Sequence, residues 1–134
     1  MFKLIKILNS GVNVPEPCRL KKDSAAEIKM GAALILNGGN AANCSSTTRP
    51  EYIALDDGKI GNDYVMAYAI SENMIFEAPV TESPETLTEG VSVTLAKDGD
   101  GAAIGVTATT ASGVAKIVSL DGAVKLGDTV TVKF

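Results

Sequence analysis

Short runs in which apolar and polar residues alternate fill the last third of the chain. Valine and leucine alternate with serine and threonine over residues 91–95, and a similar alternation covers residues 129–134. The turn-forming pairs Asp98-Gly99, Ser112-Gly113 and Asp121-Gly122 separate such runs. Alternation with a period of two gives a strand one apolar face, and glycine beside aspartate or serine favours a tight turn. The pattern therefore predicts a compact antiparallel β domain.

The earlier part of the chain holds further apolar runs of strand length. Asn37-Gly38-Gly39 ends one of them and favours a hairpin turn, whereas residues 40–49 predict a loop and residues 71–73 a tight turn or bulge. Strands at this spacing are typical of a small barrel or sandwich rather than of an α/β fold. We therefore predict an all-β fold, a single small antiparallel β-barrel or β-sandwich. The predicted strands cover residues 2–8, 28–36, 52–55, 64–70, 74–76, 91–96, 104–109, 114–120 and 129–134.

Residues 12–22 interrupt this pattern with two prolines. Pro15 and Pro17 have no amide donor, and each favours an extended conformation at the residue before it. We interpret residues 1–22 as an extended N-terminal arm and residues 23–134 as the β domain. Because an extended segment can add a strand to the exposed sheet edge of a neighbour, the arm is a candidate attachment segment.

Composition indicates one globular domain with an aliphatic core. The 134 residues are 46% hydrophobic, 21% charged and only 4% aromatic, with no tryptophan. A chain of this length can bury a core of its own, and a disordered chain would have lower hydrophobicity and a larger net charge. The net charge of −4 and the pI of about 4.8 disfavour direct binding to the phosphates of nucleic acids.

The sequence predicts neither a membrane span nor a secretory signal. No apolar run approaches the about 20 residues that a membrane helix needs, and the opening residues are too few and too charged for the core of a signal peptide. We therefore expect a protein made in the cytosol, where Cys18 and Cys44 stay reduced.

Side chains that could carry a reaction are few. Because the chain has no histidine, it lacks the usual base of serine and cysteine nucleophiles and the commonest transition-metal ligand. Cys18 lies near the cations Arg19, Lys21 and Lys22, but without a positioned base we interpret it as an inert thiol.

Two acidic segments are candidates for metal binding or acid–base catalysis. Asp98 and Asp100 alternate with glycines as calcium ligands do, but no bidentate glutamate follows at the required spacing, so we interpret them as turn residues. Five glutamates cluster before residue 90, and without an aromatic cleft they are more typical of a solvated loop. They are Glu72, Glu77, Glu82, Glu85 and Glu89.

The glycines of residues 37–40 match no nucleotide-binding motif. We therefore predict that the chain is not an enzyme, has no catalytic, cofactor-binding or metal-binding residues, and uses no cofactor.

Several segments resemble small head proteins of tailed bacteriophages, and together they cover about residues 28–134. They are GAALIL at 31–36, TTRPEYIAL at 47–55, ISENMIFE at 70–77, VSVTL at 91–95, GVTATT at 105–110, GVAKIV at 113–118 and VTVKF at 130–134. The chain is similar in these segments to capsid decoration or cement proteins. Such proteins bind the outside of an assembled shell, often around local three-fold positions, and reinforce it against internal DNA pressure.

The resemblance implies a structural virion protein that decorates and stabilises the capsid by binding the major capsid protein. It further implies a homo-oligomer, with a trimer as one form on the shell, and a location in the host cytoplasm before assembly and on the capsid exterior afterwards. It implies no catalytic residues.

Three other functions remain open from the sequence. The chain could be a ligand-binding or receptor-binding β module of a virion, for example one that recognises carbohydrate, although few aromatic side chains are present to form a sugar-binding platform. It could be a tail or connector component, which would use a similar β scaffold. An enzyme that uses carboxylates or a bound metal is the third.

Overall fold

The computed structural model describes residues 1–8, 15–82, 85, 87–122 and 125–134. Within these residues the chain forms twelve β-strands and no α-helix, so this part contains no helix with the length and apolar character to cross a membrane. The strands are β1 (Lys3–Ile7), β2 (Cys18–Lys21), β3 (Ala33–Asn37), β4 (Asn40–Asn43), β5 (Tyr52–Ala54), β6 (Tyr64–Ala69), β7 (Met74–Pro79), β8 (Ser92–Val93), β9 (Leu95–Lys97), β10 (Ala103–Val106), β11 (Ala115–Ser119) and β12 (Thr129–Lys133).

The strands form two five-stranded sheets and one two-stranded hairpin. The first sheet has the order β1-β7-β12-β11-β8, the second has the order β2-β6-β5-β3-β4, and β9 pairs with β10. All of these strand pairs are antiparallel. The predicted all-β fold is confirmed, and the described residues form a sandwich-like arrangement rather than a closed barrel.

A shared apolar core holds the two sheets together. Phe76 of β7 is fully buried, with its ring centroid 5.4 Å from that of Phe134, which in turn lies 5.3 Å from that of Phe2. Ile53 and Tyr68 of the second sheet belong to the same buried cluster. Because apolar burial is the main favourable contribution to folding, this cluster fixes the two sheets against each other.

The hairpin predicted after residue 36 is present and is longer than the sequence indicates. Gly38 and Gly39 have positive φ angles of 57° and 84°, which glycine adopts without steric cost. The returning residues Asn40–Asn43 pair with β3 as a fourth strand, although the sequence predicts a loop there. The turn places residues Asn40–Asn43 in register with β3, and the side chain of Ala41 is buried.

The predicted strand at residues 91–96 is divided in the structure. Its first half, β8, pairs with β11, and its second half, β9, pairs with β10. Thr94 separates the halves, and its hydroxyl oxygen lies 2.7 Å from that of Thr107. One apolar run therefore contributes a strand to each of two sheets. The alternation of apolar and polar residues does not show that the run divides.

Two segments within the predicted N-terminal arm, residues 1–22, form strands, and the first of them confirms the strand predicted at residues 2–8. Lys3–Ile7 pairs with β7, and Cys18–Lys21 pairs with β6, so both hydrogen-bond within their own chain. The physical reason is that Leu4 and Ile7 contribute apolar side chains to the main core, whereas the two prolines constrain only a short stretch before β2. Part of the predicted arm, residues 9–14, lies outside the described residues.

Lys22, directly after β2, is a buried cation with only 2% of its surface exposed. Its ammonium donates hydrogen bonds to the carbonyl oxygens of Asp23 at 2.9 Å and Ala26 at 2.6 Å. Its stem packs so closely on Gly58 that a Cβ added there would lie 3.0 Å from Lys22 Cδ. A parallel bridge between Lys22 and Ala41 links the ends of the two edge strands of the second sheet. Lys22 thus connects three separate segments.

Candidate functional site

The turn between β9 and β10 carries the two aspartates that resemble calcium ligands. Asp98 Oδ1 accepts hydrogen bonds from the backbone N–H groups of Asp100 at 3.0 Å and Ala102 at 2.9 Å. Lys29 Nζ lies 2.6 Å from Asp98 Oδ2 and 2.7 Å from Asp100 Oδ2. The turn interpretation is confirmed, and a lysine ammonium lies where a bound cation would bridge the carboxylates.

The charges of this turn shift one another's proton affinities. Hydrogen bonds to Asp100 and Asp98 raise the pKa of Lys29 above its usual range. The hydrogen bond from Lys29, assisted by the N–H groups of Ala102 and Asp100, lowers the pKa of Asp98. The cluster stays an ion pair at neutral pH and ties the loop before β3 to the β9–β10 hairpin. In the part of the chain that the structure describes, no group of three or more Asp, Glu, Cys or His side chains could hold a metal ion.

This ion pair predicts a pH-dependent contribution to stability. Because the folded-state pKa of Asp98 is lowered from 3.8, its contribution is fully present above pH 4 and is lost as the pH falls through the folded-state pKa. Asp98→Asn keeps the Oδ1 acceptor of the turn but removes the charge. Urea unfolding should therefore show the wild type more stable than Asp98→Asn at pH 7, with a smaller difference at pH 3.

The matched control for this prediction is Asp63→Asn, which removes an exposed carboxylate that makes no ion pair within the described residues. We expect only a small difference from wild type at either pH. An equal loss of stability for Asp98→Asn at pH 7 and pH 3 would show that the ion pair is not its source.

The other acidic residues mostly hold loops in place. Asp57 Oδ1 accepts a hydrogen bond from the N–H of Met30 at 2.9 Å, and Asp56 Oδ1 accepts one from the N–H of Met66 at 2.9 Å. Glu82 Oε2 accepts from the N–H of Ala108 at 3.0 Å, and Glu89 Oε1 from that of Leu120 at 3.4 Å. These two members of the glutamate cluster therefore accept hydrogen bonds from different loops.

The two cysteines are separate free thiols. Cys18 Sγ donates to the carbonyl oxygen of Ala67 at 3.3 Å. Cys44 is fully buried, and burial raises its pKa to about 12, so the thiol stays protonated at neutral pH.

Two cations near Cys18 in the sequence are engaged elsewhere. Arg19 stacks over the ring of Tyr64, with Cζ 4.3 Å from the ring centroid, and Lys22 binds backbone carbonyl oxygens. The structure therefore gives no support to an activated thiol at Cys18.

An apolar groove with a volume of about 320 Å³ opens beside the N-terminal strand. Its rim includes Met1, Met30 and Leu55, whose surfaces are 54%, 48% and 39% exposed. Ile53 and Tyr68 also line it. This surface has no signal in the sequence, because its residues come from distant segments and its isolated apolar residues next to glycine or aspartate form no periodic pattern.

Among known proteins, the fold of this chain is similar to a crystal structure of the head fiber gp8.5 N base in bacteriophage phi29. The match has a TM-score of 0.53 with 15% sequence identity and covers 89% of this chain and 94% of the chain in that structure. No protein-family model and no curated protein matches the sequence.

This likeness shows a shared fold. It extends over nearly all of both chains, so it includes both five-stranded sheets rather than one common hairpin. The segments that resemble phage head proteins in the sequence lie within strands β3 to β12 and the turns between them. The fold likeness and the sequence resemblance to phage head proteins therefore cover largely the same part of the molecule.

Proposed function

We propose that this chain is a structural protein of a phage virion that decorates the capsid shell and stabilises it by binding the major capsid protein. The observation that carries the proposal is the fold likeness to the base of a phage head fiber, which spans 94% of the chain in that structure. The resemblance of residues 28–134 to capsid decoration proteins is a second line of support.

The physical properties of the chain suit a protein that acts by binding. Exposed apolar side chains such as Met30, Ile60 and Leu126 provide contact surface, and the net charge of −4 favours solubility before assembly. Symmetry repeats one contact many times on a shell, so a modest interface suffices for stable attachment. We propose a homo-oligomer, with a trimer on the shell, and a role without catalysis.

The proposal also places the protein in the host cytoplasm before assembly and on the capsid exterior afterwards. A carbohydrate-binding role has less support because Tyr64, an exposed aromatic residue, is covered by Arg19. A tail or connector location would use the same scaffold, so the test must distinguish the sites on the particle.

The test is binding of the purified full chain to heads of the phage that encodes it, prepared without this protein. We expect saturable co-sedimentation, a higher temperature of head disruption, and immunogold label on the head rather than on the tail. Light scattering of the free protein gives its oligomeric mass. Failure of the folded protein to bind heads at micromolar concentration would contradict the proposal, and label on tails would favour the tail component.

A further inference from the structure

The outer face of the first sheet carries two rows of side chains that differ in charge balance. In one row, Lys3 of β1 lies opposite Glu77 of β7, which lies opposite Thr131 of β12. Opposite charges on directly paired residues are favourable across antiparallel strands. This row is electrostatically balanced within the protein itself.

The neighbouring row is strongly basic. Lys6 of β1 lies opposite Ile75 of β7, and Lys133 of β12 lies opposite Lys116 of β11. The β7–β12 register pairs Val132 with Phe76, the neighbours of Lys133 and Ile75, and these two residues line the same groove. Paired residues point to the same side of a sheet, so the three lysines line one row. Like charges directly opposite each other destabilise a strand pair, so the Lys116–Lys133 pair lowers the stability of the free domain.

The register positions of this row, from Lys6 and Ile75 to Lys133 and Lys116, carry no carboxylate. Every lysine, arginine, aspartate and glutamate lies within the described residues, because the remaining residues 9–14, 83, 84, 86, 123 and 124 are all uncharged. The ion pairs of Lys29 with Asp98 and Asp100 involve none of the three lysines. Lys6, Lys116 and Lys133 thus form a basic row on a protein whose net charge is −4.

An apolar groove runs between two of these lysines. It has a volume of about 270 Å³, and Lys116, Lys133, Ile75, Val118 and Leu8 line it. Val118 is 40% exposed because the β11–β12 register shifts between Ile117 and Ser119, which leaves Val118 without a partner on β12. Cationic and apolar side chains therefore line the same groove, and its apolar side chains are called the apolar floor below.

We propose that this face, the basic row with its apolar groove, is the surface that docks on the shell, and that it binds an acidic segment of the major capsid protein bearing apolar side chains. This inference rests on the proposed function and adds to it the face used and the partner's chemistry. Charge complementarity carries it: a carboxylate partner would neutralise the opposed lysines, and apolar side chains would fill the groove. The overall negative charge, together with the apolar floor, favours a protein partner over nucleic acid, whose binding relies on clustered cations alone.

The variant Lys116→Glu separates binding from folding. It converts the Lys116–Lys133 pair into an opposite-charge pair, so the urea midpoint of the free protein should rise. Its affinity for the heads should nevertheless fall about tenfold, and added salt should weaken wild-type binding more than variant binding. The matched control Lys21→Glu makes the same charge change on an exposed residue of the second sheet, and we expect its affinity to stay within about twofold of wild type.

A second arm of the experiment does not depend on heads. An acidic peptide of alternating glutamate and leucine, titrated into ¹⁵N-labelled protein, should shift the amide resonances of Ile75, Lys116, Val118 and Lys133. Smaller shifts are expected with single-stranded DNA of equal charge and with Lys116→Glu. If wild type fails to bind heads, the proposed function fails, whereas the peptide titration still tests the face.

Three outcomes would overturn the inference. Lys116→Glu could bind heads as tightly as wild type, which would place the contact elsewhere. The DNA could cause the larger shifts, which would identify a phosphate ligand. The variant could alter the sedimentation mass of the free protein while head binding stays intact, which would identify a second copy of this chain as the occupant.

Discussion

Replacing Phe76 with alanine is expected to lower the free energy of unfolding by about 3–5 kcal/mol. Phe76 has none of its surface exposed and lies on β7, between β1 and β12 in the first sheet. Its ring packs against Phe134, which also contacts Phe2, so the change leaves a cavity among side chains from both termini. Against a typical total stability of about 5–15 kcal/mol, this loss would leave a large unfolded fraction in the less stable part of that range.

The measurement is urea unfolding followed by far-ultraviolet circular dichroism at pH 7. Ile5→Ala is the control, because Ile5 lies on β1 of the same sheet but is 45% exposed. We expect it to cost less than about 1 kcal/mol. A Phe76→Ala variant that loses no more stability than Ile5→Ala would show that the aromatic cluster does not hold the sheets together.

The second large effect is expected at Lys22, where alanine should cost about 2–4 kcal/mol. The substitution removes a buried stem that packs on Gly58 and leaves the carbonyl oxygens of Asp23 and Ala26 without their ammonium donor. Lys22→Met retains the volume of the stem and removes only the donor. We expect methionine to recover part of the loss, since both packing and hydrogen bonding contribute.

The adjacent Lys21 provides the control for this prediction. Lys21 is exposed on β2, so Lys21→Ala should change stability by less than about 0.5 kcal/mol. Thermal unfolding of the three variants and of wild type at one scan rate makes the comparison. Equal midpoints for Lys22→Ala and Lys21→Ala would contradict a structural role for the buried ammonium.

The sequence predicts those parts of the fold that local chemistry determines. The alternation in residues 129–134 corresponds to β12, and the two glycines after Asn37 form the predicted hairpin turn. The sequence cannot reveal Asn40–Asn43 as a strand, because alanine and asparagine have no strand preference of their own and the pairing comes from the turn. The sequence also cannot reveal the partner of β1, because the pairing of β1 with β7 joins segments about 70 residues apart.

In the candidate sites too, local sequence predicts single turn residues but not the partners that distant strands bring to them. Asp98 can be predicted as a turn residue from its glycine neighbours, whereas its partner Lys29 is 69 residues away in the chain. The opposed lysines of the basic row depend on the β11–β12 register, which includes a shift at Val118. A one-residue change of register would send these side chains to the other face, so periodicity alone cannot locate the row.

The order of strands in the two sheets has a consequence for biosynthesis. The second sheet uses residues between Cys18 and Ala69 only, so all of its strands leave the ribosome before the first sheet has its central strand. The first sheet places β7 between β1 and β12, and so it awaits Thr129–Lys133, which are translated well after Ala69. Until β12 has been translated, the nascent chain therefore contains every strand of the second sheet but lacks the central strand of the first. Any surface that needs the complete first sheet therefore becomes available only after β12 has been translated.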